Sequence, residues 1–190
     1  MTDLAVAKIG NGSLAAPMSG DGCRAEPFGE HHRAALKAAC AEDRDNWTIY
    51  SVSLDPDHFD ASIDALSGNQ RNHVFVLFDG DILAGMSSYL GLDDKRQTVE
   101  IGATYYRPSL RGTGFNARVK EMMLERAFAC GIRRVEFRVD KRNARSQAAM
   151  KKLGAVREGV LRADRITWTG HVRDTVLFAI LRDEWPAPQN

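Results

Sequence analysis

The residues with the clearest chemical potential lie between positions 111 and 116, where the chain reads Arg-Gly-Thr-Gly-Phe-Asn. Two glycines let a backbone turn tightly and leave no Cβ between it and a ligand. Successive N–H groups at the start of a helix form a nest for anions, which the positive end of the helix dipole reinforces. Arg111 adds a full positive charge. The pattern predicts a phosphate or pyrophosphate site, although a glycine-rich turn without a ligand has the same composition.

Two familiar nucleotide motifs do not describe this segment. No Gly-Lys-Ser/Thr follows, as a P-loop requires, and the third glycine of a dinucleotide fingerprint is missing. A second segment, Asn143-Ala144-Arg145-Ser146, opens a predicted helix about thirty residues further on, and Leu153-Gly154-Ala155 closes it. Asn143 is a good N-cap, so it predicts a helix start whether or not it also touches a ligand.

Glu100 is the carboxylate that stands out among the predicted strands, because Val99 and Ile101 flank it. A carboxylate on an apolar strand is unexpected unless it is paired or functional. The period-2 alternation of a strand also allows Glu100 to lie on a solvated face. We favour a functional role for Glu100, and we predict that Glu158 is a structural partner of a nearby arginine.

The elements that must position these residues follow from hydrophobic periodicity, caps and breakers. Residues 1–21 are predicted to be an N-terminal arm or a weak first strand, 43–56 a loop, and 186–190 a tail. Helices are predicted at 30–41, 58–66, 115–130 and 144–153, the third with an apolar stripe of Phe115, Val119, Met122, Met123, Ala127 and Cys130. Strands are predicted at 23–28, 74–78, 82–90, 98–106, 134–139, 156–168 and 172–181, with Asp79-Gly80 as a two-residue hairpin turn. This order predicts an α+β domain whose central sheet is mixed and mainly antiparallel, with helices flanking it.

Composition excludes several classes of protein. The 190 residues carry a net charge of +1, are 44% hydrophobic and 27% charged, and include three cysteines. These values are typical of one globular domain, which we place at residues 22–185. No apolar run is long enough for a membrane span, and the first residues lack the pattern of a signal peptide. We therefore expect a cytoplasmic protein with buried thiols, no metal site, and a solvated His31-His32 pair.

The charges are divided unequally along the chain. Residues 1–100 carry 8 basic and 16 acidic side chains, whereas residues 101–190 carry 18 basic and 9 acidic ones. Such a division predicts two surfaces that face differently charged molecules.

Several motifs together resemble one known family. The loop Arg-Gly-Thr-Gly-Phe-Asn, the helix start Asn-Ala-Arg-Ser and the exit Leu-Gly-Ala are similar to the acetyl-CoA-binding core of the GNAT N-acetyltransferase superfamily. The segments V-E-I-G-A-T-Y-Y-R-P, V-E-F-R-V-D-K-R-N-A-R-S, R-E-G-V-L-R and R-D-T-V-L-F-A-I-L resemble its RimJ/RimL-like branch. The resemblance extends from about Arg24 to Trp185. It implies a GNAT-like fold and transfer of acetyl from acetyl-CoA to a primary amine by direct attack in a ternary complex.

The resemblance also implies roles for particular residues. Arg111 and Gly114 match the family pattern Arg/Gln-x-x-Gly-x-Gly/Ala, whereas Asn116 stands where a small residue is usual. The resemblance implies that the pyrophosphate of acetyl-CoA is held by the backbone of Gly112, Thr113, Gly114, Phe115 and Asn116. It also implies that the pantetheine arm of acetyl-CoA bonds to the main chain at the strand end, which is Tyr105, Tyr106 and Arg107. Asn143 at the next helix start would bind the same arm, with Ser146 nearby.

For the chemistry, the resemblance implies that Glu100 acts as a base through water, since an amine must be neutral to attack a thioester. Backbone N–H groups on the strand 98–106 can stabilise the oxyanion. Many relatives place a tyrosine seven residues after the helix-start asparagine, and Met150 stands there in this chain. The proton for the CoA thiolate would then come from Ser146, from water, or from no dedicated group.

Two other classes of function stay open at this point. The missing tyrosine is compatible with an acyl-CoA-binding domain that does not catalyse. Residues 131–152 contain eight basic and two acidic side chains, which could follow the phosphates of a nucleic acid or a ribosome. We prefer CoA, whose three phosphates would satisfy much of that patch.

The acceptor is expected against residues 29–70, where an acidic entrance would favour a cationic amine. That amine would be a protein N-terminus, for example of a ribosomal protein, or a small amine. A homodimer is left open.

Overall fold

A computed structural model describes residues 14–185; residues 1–13 and the tail at 186–190 lie outside the described part. The helices are α1 (Arg33–Cys40), α2 (Phe59–Ser67), α3 (Phe115–Ala129) and α4 (Ala144–Lys152), with 3-10 segments at Glu30–His32, Ala41–Ile49, Pro108–Leu110 and Arg182–Glu184. The strands are β1 (Met18–Gly20), β2 (Cys23–Pro27), β3 (His73–Asp79), β4 (Ile82–Asp93), β5 (Thr98–Tyr106), β6 (Arg134–Asp140), β7 (Val156–Ile166) and β8 (Val172–Leu181).

All eight strands form one sheet in the order β1-β2-β3-β4-β5-β6-β8-β7. Every neighbouring pair is antiparallel except β5 and β6, which run parallel. The predicted α+β class with a mainly antiparallel mixed sheet is therefore confirmed, and so are the predicted helices and strands apart from shifts at their ends.

The helices cover the two faces of the sheet in separate layers. Buried side chains of α3 and α4, such as Met123 and Met150, pack with β-strand residues on one face. On the other face, Leu36 of α1 and Phe59 of α2 pack against β3, β4 and Tyr105 of β5. The buried apolar area of both layers holds the sheet between them.

Three local predictions are wrong. Residues 43–56 are not all loop, because a 3-10 segment runs to Ile49 around buried Trp47, whose indole N–H donates to the Cys40 carbonyl at 3.1 Å. The hairpin turn is Gly80-Asp81, one residue later than predicted, since Asp79 pairs with Ile82. His32 is buried rather than solvated, because its ring packs near Phe28 and Phe78. His31 is exposed as expected.

The feature of the sheet that matters most for function is a split between β5 and β6. The two strands pair only from Thr98 to Glu100 on β5 and from Arg134 to Glu136 on β6. Beyond these residues they separate, and among residues 14–185 no other strand pairs with that edge of β5. A bulge at Ala103, with φ of 47°, bends β5 just past the separation. We call this opening the β5–β6 split.

Within residues 14–185, no helix is both long enough and apolar enough to cross a membrane. Cys23 and Cys40 are buried free thiols, as predicted, while Cys130 at the end of α3 is partly exposed. Burial raises the pKa of the Cys40 thiol to about 12, so this thiol is not a reactive nucleophile.

Candidate functional site

The loop before α3 has the geometry of an anion nest. Gly112 and Gly114 have φ of 80° and 87°, in the left-handed region that favours glycine, and Gly114 is the N-cap of α3. The Thr113 hydroxyl donates to the Leu110 carbonyl at 2.9 Å and so fixes the turn. Within the described chain, the N–H groups of Gly112, Gly114 and Asn116 donate to no other protein atom. These free donors stand at the positive end of a 15-residue helix and suit a phosphate.

Arg111 does not stand free beside this nest. Its guanidinium forms an ion pair with Asp43 of the 41–49 segment and also donates to the Tyr106 carbonyl at 3.4 Å. The positive charge of Arg111 next to the nest is therefore partly balanced by the Asp43 carboxylate. Arg111 ties the loop to the segment that covers the opposite face of the sheet.

The end of β5 leads directly into this loop. Tyr105 is buried and its hydroxyl donates to the Ala39 carbonyl at 2.8 Å, while Tyr106 packs edge-on against Phe115 with ring centroids 5.3 Å apart. Both side chains are therefore packing residues. The Arg107 side chain pairs with Glu42. The Arg107 backbone N–H donates to the Ala84 carbonyl of β4 at 2.9 Å, so the main chain of this strand end is held against β4, and its other edge borders the β5–β6 split.

Asn143 lies across the split at the start of α4. Its side-chain oxygen accepts from the Ser146 N–H at 2.9 Å, which makes it the N-cap that the sequence predicted. In the described structure, the Asn143 amide NH₂ and the Ser146 hydroxyl form no hydrogen bond with the protein. Both groups are free to meet a ligand.

Glu100 stands at the last paired position of β5, on the face opposite α3. Its neighbours Val99 and Ile101 point into the layer under α3 and α4. The Glu100 carboxylate lies 3.6 Å from the Arg138 guanidinium. Burial raises the pKa of Glu100, and the charges of Arg165, Arg138 and Arg173 offset part of that rise. A carboxylate whose pKa is raised is a stronger base than a solvated one.

Space for a ligand adjoins Glu100 in a cavity of about 290 Å³. Its lining includes four arginines and three carboxylates, namely Arg71, Arg96, Arg138 and Arg165 with Asp93, Glu100 and Glu136. None of residues 29–70, where the acceptor is expected, lines this cavity. Gly102 leaves room for the carboxylate, because a Cβ there would lie 2.6 Å from Glu100 Oε1.

The tip of the β7–β8 hairpin closes the same face. The Trp168 indole N–H donates to the Trp47 carbonyl at 2.9 Å, and its backbone N–H donates to the Ser51 carbonyl at 3.1 Å. Arg173 of β8 also bonds to the Ser51 hydroxyl and to the Arg138 carbonyl. The hairpin tip is therefore tied both to residues 47–51 and, through Arg173, to β6 beside the Glu100 partner Arg138.

Two residues near β5 were not predicted from the sequence. The Tyr50 hydroxyl donates to the Thr104 carbonyl at 2.8 Å, next to the bulge. Lys120 of α3 is only 3% exposed, and its amine donates to the Thr104 hydroxyl at 2.7 Å. The apolar stripe of α3 gave no sign of Lys120, because the buried arc of this helix is wider than the stripe. Met150, which stands where many relatives have a tyrosine, lies in the same core layer as α3. Its thioether has no proton to donate.

The basic patch at 131–152 is partly neutralised. Glu158 is the predicted structural partner, since it pairs with Arg134 at 2.7 Å. Arg138, Arg142 and Lys141 pair with Glu136, Asp140 and Asp174 respectively. Four of the eight basic side chains in the patch are therefore held in ion pairs within the fold.

Among residues 14–185, Glu26, His31 and His32 bring possible metal-ligand atoms within 4.8 Å of one another. His32 Nδ1 accepts from the Gly29 N–H at 3.1 Å, and its Nε2 lies 3.2 Å from Glu26. A neutral imidazole has one lone pair, so Nε2 carries the proton and donates to the carboxylate. Both ring nitrogens of His32 are therefore engaged in hydrogen bonds that cap the 3-10 turn.

Comparison with known proteins agrees with this geometry. Residues 24–156 match the family model described as an acetyltransferase (GNAT) domain. A probable GNAT-family acetyltransferase from Chromobacterium violaceum is 30% identical with a TM-score of 0.84, covering 91% of this chain and 89% of that one. A putative acetyltransferase from T. thermophilus is 31% identical with a TM-score of 0.81, covering 90% and 91%. The chain matched no curated protein.

A structure of Mycobacterium smegmatis RimJ with CoA-disulfide shares the fold at 21% identity and a TM-score of 0.75, covering 87% of this chain and 84% of that one. The family match covers well over half of the chain and includes the nest, the β5–β6 split and Glu100. The chain therefore belongs to the GNAT family of acetyl-CoA-dependent acyltransferases.

Proposed function

We propose that this protein transfers the acetyl group of acetyl-CoA to a primary amine by direct attack in a ternary complex. The observation that carries the proposal is the β5–β6 split, which has the free N–H groups of the nest at one end and Glu100 at the other. A pantetheine arm can run along the open edge of β5 between these two points. The thioester would then lie beside Glu100.

The assigned roles follow this path. The N–H groups from Gly112 to Asn116 hold the pyrophosphate, and the backbone of Tyr105, Tyr106 and Arg107 bonds to the pantetheine arm. The Asn143 amide and the Ser146 hydroxyl, which the protein leaves free, contact the same arm from α4. On the other face, Glu100 takes a proton from the attacking amine through water, since only a neutral amine has a lone pair for attack.

We assign the acceptor to the amines used in the RimJ/RimL-like branch, either a protein N-terminus or a small amine. The names of two structural neighbours, RimJ and a ribosomal-protein-S5-alanine acetyltransferase from Vibrio fischeri, support this assignment. The arginine-rich lining near Glu100 gives no reason to restrict the acceptor to cationic amines.

The test is release of free CoA thiol with a panel of N-terminal peptides, polyamines and amino acids, followed by mass analysis of the product. A gain of one acetyl group on an amine supports the proposal. Binding of acetyl-CoA without acetylation of any amine in the panel would favour the non-catalytic acyl-CoA-binding domain instead.

Replacing Gly114 with valine is expected to abolish stabilisation by acetyl-CoA. Valine at φ of 87° is strained by about 1–3 kcal/mol and turns the N–H groups of the nest. At 100 times its Kd, acetyl-CoA should stabilise the wild type by about 2.7 kcal/mol, which corresponds to about 5–10 °C in a chain of this size. Differential scanning fluorimetry measures the shift.

Gly170→Val is the matched control for this experiment. Gly170 has φ of 80° and, like Gly114, has no atom within 4 Å of an added Cβ, but it lies in the β7–β8 turn. We expect a similar loss of stability and a full acetyl-CoA shift. A full shift in Gly114→Val would show that the nest does not bind the cofactor.

A further inference from the structure

Lys120 is a buried lysine without a carboxylate partner. In the described structure its amine forms no ion pair, and it donates to the hydroxyls of Thr104 at 2.7 Å and Ser87 at 3.3 Å. Burial of an ammonium group without a counter-ion is unfavourable, so lysine is seldom placed in this way for structure alone. The same burial lowers the pKa of Lys120 to about 7, and the Glu100 carboxylate across the sheet opposes this shift.

The Lys120 amine lies beside the β5–β6 split. Its amine bonds to Thr104, four residues beyond the last paired residue of β5. It also lies 5.9 Å from the centre of the Phe137 ring on β6, one residue beyond the last paired position of that strand. The ammonium is therefore close to both strands where they have separated, on the α3 face. Glu100 lies on the opposite face of the same opening.

Thr104 connects Lys120 to the opening. Its hydroxyl accepts from Lys120 and shares a second hydrogen bond of 2.7 Å with Ser87. Its backbone is fixed by the bulge at Ala103 and by the Tyr50 hydroxyl, which donates to its carbonyl. Thr104 is only partly buried, whereas Lys120 and Ser87 are fully buried. The Thr104 hydroxyl also donates to the Gly102 carbonyl at 3.4 Å, and Thr104 is the one residue of these three that is not fully buried beside the split.

We propose that Lys120 supplies, through the Thr104 hydroxyl, the proton that the CoA sulfur takes up when the thioester breaks. This inference rests on the proposed acetyl transfer. The amine nitrogen forms a bond to the carbonyl carbon, the C–S bond breaks, and its electron pair stays on sulfur. The Thr104 hydroxyl gives its proton to sulfur as its oxygen takes one from the Lys120 ammonium. Lys120 is left as a neutral amine, which solvent protons recharge.

The energetics favour this direction of transfer. An unperturbed thiol has a pKa of about 8.5, so a thiolate is a stronger base than a buried amine whose pKa is about 7. In this arrangement the threonine is the group that would touch the sulfur, and Lys120 is its positioning residue and proton source. The proton path also explains how the chain works with methionine at position 150.

The test uses Lys120→Met and Thr104→Val, which keep side-chain volume and remove the proton donor or the hydroxyl. The wild-type kcat, measured with both substrates saturating, should fall as pH rises above about 7, because Lys120 then loses its proton. In both variants this fall of kcat at alkaline pH, the alkaline limb of the profile, should disappear. At neutral pH their kcat should be at least about tenfold below that of the wild type. Their Kd for acetyl-CoA should stay within about threefold of the wild type. Lys95→Met, at an exposed turn between β4 and β5, is the control and should keep the limb.

Thermal unfolding separates this role from a structural one. Lys120→Met removes a buried charge, so its midpoint should equal or exceed that of the wild type. Retention of the alkaline limb in either variant overturns the proposal, and Thr104→Val decides the matter if Lys120→Met does not fold. Loss of acetyl-CoA binding in both variants also overturns it, since the group would then only shape the donor site. A wild type that binds no acetyl-CoA overturns the proposed function itself.

Discussion

Glu100→Gln is expected to lower kcat by about 10²–10⁴-fold, the usual contribution of a general base. Glutamine keeps the shape of the side chain and its place beside Arg138 and Gly102, but it cannot take up a proton. The Kd for acetyl-CoA should be nearly unchanged, because Glu100 lies on the face of the sheet opposite the nest and α3. Steady-state kinetics and calorimetric titration measure the two effects.

The pH dependence of the same variant gives a second readout. The base works as a carboxylate, so the rate falls as pH decreases through its pKa. Since burial raises that pKa, the acid limb of the wild-type profile should lie above pH 4.5. The limb should disappear in Glu100→Gln. Glu158→Gln is the matched control, because Glu158 only pairs with Arg134, and its kcat should stay within about twofold. Unchanged kcat in Glu100→Gln, or loss of acetyl-CoA binding, would contradict the assignment of Glu100 as base.

Gly85→Ala is expected to have the largest effect on stability, at least about 3–5 kcal/mol. Gly85 lies on β4 with φ of 149°, and a Cβ there would stand 2.0 Å from the Tyr105 carbonyl oxygen and 3.0 Å from Tyr106 Cα. Both contacts are backbone atoms, which cannot move aside without opening the β4–β5 pair. The midpoint of thermal unfolding should fall by about 10 °C or more.

Gly159→Ala separates this effect from the general cost of changing a strand glycine. Gly159 lies in β7 and has no atom within 4 Å of an added Cβ, so this variant should keep wild-type stability within about 0.5 kcal/mol. Near-wild-type stability of Gly85→Ala would show that β4 and the end of β5 are not packed as closely as described. Any Gly85→Ala protein that folds should also lose affinity for acetyl-CoA, because the strand end at 105–107 would move.

The sequence predicted most of the fold because the signals for it are local. The apolar stripe of α3, the N-cap at Asn143 and the alternation in 98–106 each depend on neighbouring residues. The loop at 111–116 was recognisable for the same reason, since two glycines and a helix start follow each other directly. The 3-10 segment at 41–49 was missed because Trp47 stabilises it by packing against Tyr105, which is far away in sequence.

The parts of the site that depend on long-range contacts could not be predicted. The pairing of Arg111 with Asp43 joins two segments about 70 residues apart, and nothing near either residue indicates it. Lys120 follows the buried residue Val119 on α3, and only the neighbouring strands show that its amine meets Thr104 rather than solvent. Glu100 was predicted as a functional residue because its neighbours in the sequence are apolar. The arginines that surround its carboxylate, however, lie on β6, β7 and β8, which are distant in sequence.

The most direct test of the central claim is a pair of calorimetric titrations, one with acetyl-CoA and one with S-acetylpantetheine. The second donor carries the same thioester and pantetheine arm but lacks the pyrophosphate and nucleotide. If the nest from Gly112 to Asn116 holds the pyrophosphate, acetyl-CoA should bind about 100-fold or more tightly than S-acetylpantetheine, as two or three charge-assisted hydrogen bonds would give. Equal affinity for the two donors, or no binding of acetyl-CoA, would contradict the account.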